Sequence, residues 1–129
     1  MNLIKLNDVI LPTEIAISPE DQARGLMYHR WPHPVMTFVY AKPTINKMWM
    51  KNTFVPLDIL FCLGGKIRFI SHGEPHCEDL IGDDVPSDLV VELPYGMVEK
   101  LSIGTGHPVE LMYNVSNLKH KLVAKYRII

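Results

Sequence analysis

Ten prolines and eight glycines recur at short intervals along a chain of 129 residues. Each proline lacks a backbone N–H and biases its predecessor toward extended backbone, so long helices have little room. Such punctuation predicts many short strands joined by turns. The clearest unit is a hairpin over 57–63 and 66–71, because Gly64-Gly65 supplies the positive φ that a two-residue turn demands. Extended segments are also expected over 3–6, 9–11, 14–17, 35–40, 48–51, 89–93, 109–115 and 122–129. Ser18-Pro19-Glu20-Asp21 is a strong helix start, with a capping hydroxyl, a first-turn proline and acids at the positive end of the dipole. That helix is expected to run through Met27 with Ala23, Leu26 and Met27 facing inward, and a second short helix is expected over 94–101. Residues 72–86 read as a long acidic loop. The expected fold is mainly β: a single domain over 1–129, a β-sandwich or distorted barrel of about eight short strands with about two short helices.

The most informative chemistry lies in 48–61, where Trp49, Lys51, Asn52, Thr53 and Asp58 sit inside an otherwise apolar run. Polar groups flanked this closely by large apolar ones must be hydrogen-bonded or line a site, because burying them unpaired costs about 2–7 kcal/mol each. Asp58, among Leu57, Ile59, Leu60 and Phe61, needs a partner, and Lys51 and Arg24 are the obvious cations. It reads either as a general base or hydroxyl acceptor, or as a bracket for backbone N–H groups of the 52–55 turn. Lys51 suits an anion or a carbonyl, or an ordinary ion pair. Asn52 and Thr53 read as ligand contacts or turn formers, and Trp49 as a stacking wall or a core aromatic.

Other chemistries find less support. His72, His76 and Cys77, with Glu78, Asp79, Asp83 and Asp84, lack a zinc spacing or the calcium-loop register, so neither a metal nor a cofactor is expected. The loop they occupy can still cover the Trp49–Asp58 region. Cys77 lacks an identified base and acid for a nucleophile's role, and Cys62 reads as core. A formal net charge of -1 gives no bulk pull toward nucleic acid or anionic membrane. The run Lys119-His120-Lys121, with Lys125 and Arg127, reads as a solvated hairpin tip. No apolar run approaches the roughly 20 residues of a membrane span. Lys5 and Asp8 interrupt the first apolar stretch, so a cytoplasmic protein with reduced thiols is expected.

Arg24-Gly25-Leu26-Met27-Tyr28, Trp49-Met50-Lys51-Asn52-Thr53, Pro56-Leu57-Asp58-Ile59-Leu60-Phe61 and Glu92-Leu93-Pro94-Tyr95-Gly96 together resemble the family catalogued as domain of unknown function 192. The resemblance spans about 14–111 and implies a mainly-β, sandwich-like domain without a settled activity. Many members of that family carry signal peptides. This chain departs at His29, over Val35-Met36-Thr37-Phe38, and at Ser102 and His107. It also adds a strand pair over 109–129 that can cover a sheet edge.

The leading expectation is a small-molecule binding module for a polar ligand carrying hydroxyls or a carboxylate. Trp49 would be its apolar wall, Lys51 and Arg24 its charge, and Asn52, Thr53 and Asp58 its orienting groups. The alternatives are a hydrolase or isomerase using Asp58 and Lys51, and a protein that binds a partner by adding a strand at a sheet edge. The oligomeric state is not written in these residues.

Overall fold

The computed structural model describes residues 2–113 and 127–128. Its strands are β1 (Leu3–Leu6), β2 (Val9–Ala16), β3 (Val35–Thr44), β4 (Leu57–Leu63), β5 (Lys66–Gly73), β6 (Ser87–Pro94), β7 (Val109–Tyr113) and β8 (Arg127–Ile128). Helix α1 spans Pro19–Arg24 and α2 spans Met97–Lys100. The mainly-β expectation holds, and the strands form one sheet in the order β5-β4-β6-β3-β2-β1-β7-β8.

Strand β2 is the corner of that sheet. Its first half, through Pro12, pairs antiparallel with β1, and its second half, from Thr13, pairs parallel with β3. The sheet therefore curls into a half-barrel. The two ends approach each other where Val109 N–H donates to Gly65 O at 2.8 Å and Ile67 N–H donates to His107 O at 3.0 Å.

Curling divides the apolar residues by strand parity. Ile4, Leu6, Val39, Leu60, Cys62, Val91, Leu93 and Leu111 fill the inside of the curl, and Met97, Val98 and Leu101 of the α2 region pack against them. Phe38, Ile59, Phe61 and Val90 face the other way and are covered by Leu26, Met48, Met50 and Val55. Strand β6 is thus buried along its whole length, as a strand covered on both faces must be.

Several local expectations are corrected. Residues 48–51 form no strand of the sheet; Met48 makes an isolated bridge to Ile81 and Met50 N–H donates to Cys77 O at 2.9 Å. The alternation that suggested a strand is real, since Met48 and Met50 are buried while Trp49 and Lys51 are exposed, but it lies along a covering loop. Helix α1 stops at Arg24 because Gly25 takes φ 47°, which leaves Leu26 buried beyond the helix and Ala23 exposed. Ser18 caps as expected, its Oγ accepting from Asp21 N–H at 3.1 Å.

His72 belongs to β5 rather than to the following loop. In the C-terminal pair, β8 runs parallel to β7 rather than closing a hairpin. Residues 122–126 of the expected last strand and the basic run 119–121 lie outside the described residues.

Candidate functional site

Asp58 is 1% exposed and points to the inside of the curl, on the same side as Leu60 and Cys62. Its Oδ2 accepts from Gly96 N–H and Val98 N–H, each at 3.0 Å, and its Oδ1 lies 2.8 Å from His72 Nδ1. A carboxylate only accepts, so the imidazole Nδ1 carries the hydrogen. The partners are therefore the β6–α2 turn and His72, in place of the expected 52–55 turn or the cations Lys51 and Arg24. Buried in this way with each oxygen engaged, Asp58 ties β4, β5 and α2 together. A shallow cavity beside it, of about 210 Å³, is lined by His72, Tyr95, Gly96 and Glu99 among others.

A larger cleft of about 290 Å³ opens on the outer face, between α1 with its following turn and the loop over 46–53. Arg24, Trp49, Lys51 and Thr53 all line it, together with Phe38, Tyr40 and Glu92. Asn52 is not among its lining residues; it takes φ 53° and its carbonyl accepts from Tyr28 N–H at 2.9 Å, which is the work of a turn former. Asp58 is absent too, and no residue lines both cavities. Lys51 and Asp58 thus line separate cavities, on the outer and inner faces of the sheet.

Most side-chain donors around the cleft are spent within the protein. Gln22 Nε2 donates to Ala16 O at 3.3 Å and Val39 O at 2.9 Å. Asn46 Nδ2 donates to Thr44 O at 3.1 Å and Ser87 O at 3.0 Å. Arg24 is paired with Asp21 at 2.8 Å, and Lys47 with Asp84 at 3.2 Å. Thr53 Oγ1 donates to Lys51 O at 3.2 Å. Lys51 Nζ lies over the Trp49 ring, 5.1 Å from its centroid, at the solvent rim.

Glu92 is the residue that sequence reasoning missed. It is 4% exposed, and its register partners on either side are Met36 of β3 and Ile59 of β4, both apolar. Among the described residues no hydrogen bond or ion pair reaches its carboxyl group. Burial without a partner pushes its pKa up to about 8. The nearby Tyr40 phenol is likewise held above its usual range, by burial first and by Glu92 second. A glutamate at an interior position of an apolar strand was the available signal, and strand parity from Val90 gives it the outer face.

His76 and Cys77 sit in the loop that covers 48–53, where His76 N–H donates to Thr53 O at 3.0 Å. Both cysteines are free thiols. Among the described residues no helix is long and apolar enough to cross a membrane.

Architecture and sequence place this chain in a class of mainly-β half-barrel domains. It belongs to the DUF192 family, described as Uncharacterized ACR, whose profile matches residues 3–111. A solved structure from Sinorhizobium meliloti 1021, which carries a provisional description as a transcription regulator, is similar at 34% identity and a TM-score of 0.78, over 85% of this chain and 91% of that one. A protein of unknown function from Novosphingobium aromaticivorans DSM 12444 is similar at 27% identity and a TM-score of 0.76, over 83% of this chain and 82% of that one. No curated protein matches the chain.

Proposed function

We propose that this DUF192 protein is a binding module for a small polar molecule held in the outer-face cleft. The observation that carries the reading is Glu92, a residue only 4% exposed whose carboxyl group lines a cavity of about 290 Å³ and has no partner among the described residues. A group of this kind is costly to keep in an apolar layer, and a ligand that satisfies it offsets the cost. Trp49 supplies an aromatic wall, Lys51 a rim charge, and Arg24 and Thr53 shape the entrance. Asp58 and Asn52 leave the site and act as structural groups.

DNA binding is the weaker reading for this chain. A net charge of -1, with Arg24 and Lys47 already paired, offers little to a phosphate backbone.

The test uses Trp49 as a reporter in a Trp31→Phe background. Small polar molecules are titrated while indole emission and backbone amide shifts are followed. The reading expects shifts confined to Trp49, Lys51, the α1 turn and Glu92. Shifts centred on His72 and Tyr95 instead would move the site to the other face and overturn the assignment.

A further inference from the structure

We infer that the ligand group seated on Glu92 is an ammonium, so that the cleft selects a compact organic cation. The inference rests on the cleft being the binding site and narrows what it takes. A ligand must complement what the protein leaves unsatisfied. The amide donors of Gln22 and Asn46 are engaged elsewhere in the fold, and Arg24 and Lys47 are each held at the surface in an ion pair, with Asp21 and Asp84. What stands open in the wall, without a partner among the described residues, is the Glu92 carboxyl group, together with the Tyr40 hydroxyl and the Gln22 side-chain oxygen; of these only Glu92 can become a full charge beneath the rim near neutral pH.

An anionic ligand could meet Glu92 only as the neutral acid and would gain no ion pair beneath the rim, where Lys51 stays. A cation meets the carboxylate directly and can rest against aromatic faces. The Trp49 ring already holds the Lys51 ammonium at 5.1 Å, so this wall accepts positive charge. The charged and titratable groups that line the cleft with Glu92 are Tyr40 from β3, Arg24 from α1, and Lys47 and Lys51 from the covering loop; Met36 and Ile59 flank it as apolar register partners.

Binding then carries a proton signature. Burial pushes the Glu92 pKa up to about 8, which favours the neutral acid near pH 7. An arriving ammonium keeps its own protons and favours the carboxylate, so the Glu92 proton leaves to buffer as the ion pair forms. A neutral or anionic ligand that accepts a hydrogen bond from the protonated acid releases none.

Three probes of one shape separate the possibilities: 2-phenylethylammonium, 3-phenylpropanoate and 2-phenylethanol. Each is titrated calorimetrically near pH 7 in two buffers of different ionisation enthalpy, with Trp49 shifts followed in parallel. The proposal expects the ammonium to bind at least about tenfold tighter than the other two and to release close to one proton. It expects Glu92→Gln to weaken the ammonium by at least about tenfold and Glu92→Asp to retain part of the affinity.

Equal or tighter binding of the carboxylate or the alcohol, or unchanged ammonium affinity in folded Glu92→Gln, overturns the cation assignment and leaves the cleft as the site. If no probe moves Trp49 at millimolar concentration, both the assignment and the cleft reading fail.

Discussion

Asp58 and His72 face each other across the β4–β5 pair, with His72 Nδ1 2.8 Å from Asp58 Oδ1. A one-residue irregularity makes the pairing. Leu63↔Lys66 and Cys62↔Ile67 follow the tight turn, but Phe61 pairs with Phe69, so Arg68 is the extra residue. Every later partner shifts by one, which places His72, in place of Ser71, opposite Asp58.

Removing the Asp58 charge is expected to unfold part of the fold's frame. In Asp58→Asn the NH₂ either confronts the Gly96 and Val98 N–H groups or turns to His72, whose imidazole must then change tautomer to accept; both outcomes lose hydrogen bonds made to a charge. The expected loss is about 3 kcal/mol, read from urea titration at neutral pH. A loss under about 1 kcal/mol would mean that the bracket is not structural.

Glu92 gives stability a pH dependence of known sign. Its folded pKa of about 8 lies above the ordinary 4.5, so between these values the native state holds a proton that the unfolded chain has lost. Its contribution therefore falls as pH rises through that window and is flat above it. Glu92→Gln keeps an uncharged side chain of the same shape and removes the dependence. The stability difference between variant and wild type should grow in the variant's favour by on the order of 3–5 kcal/mol from about pH 4.5 to about pH 8. Parallel curves would show that the carboxyl group is hydrated or paired.

The bulged Arg68 grips Asp83 with two hydrogen bonds, at 2.7 and 2.9 Å, and so anchors the loop after β5. These bonds hold the Asp83 carboxyl below its ordinary value. The ion pair consequently persists above the ordinary aspartate range and lapses only as pH falls through the lower folded value. Carboxyl carbon shifts followed by NMR should place its midpoint below that of a free aspartate. In Arg68→Lys, which loses the two-pronged contact, the midpoint should rise; an unmoved midpoint would assign the shift to another cause.

Gly82 and Gly64 both hold positive φ, but substitution should separate them. At Gly82, φ is 136° and an added Cβ would stand 2.9 Å from the Asn46 carbonyl oxygen, which belongs to backbone. At Gly64, φ is 61° and the space is open. Gly82→Ala should cost about 2–3 kcal/mol and loosen the Met48–Ile81 bridge, whereas Gly64→Ala should cost about 1 kcal/mol. Denaturant midpoints check both, and similar values would remove the close-approach argument.

Periodicity and punctuation were enough for the β-rich class, the hairpin turn at Gly64-Gly65 and the Ser18 cap. Those features depend on neighbours in the chain: the φ that glycine permits, the hydroxyl that reaches a nearby N–H, the alternation along a strand. Arg24, Trp49, Lys51 and Thr53 likewise gather in one cleft, as their short segments suggested. The same local signals misread 48–51, because a covering loop with alternate methionines inward looks like a strand until its hydrogen-bond partners are known.

The identities of Asp58 and Glu92 were plain in the chain, yet their surroundings were not. Each lies on a strand whose two faces are both buried, so alternation of polar and apolar residues cannot tell inside from outside. Strand order and curl place Asp58 against α2 and Glu92 against the cleft, and the bulge at Arg68 brings His72 to Asp58. These are long-range outcomes of pairing register, where a shift of one residue turns every later side chain to the opposite face. The types of residue are local properties of the sequence; which of them meet is a property of the closed sheet.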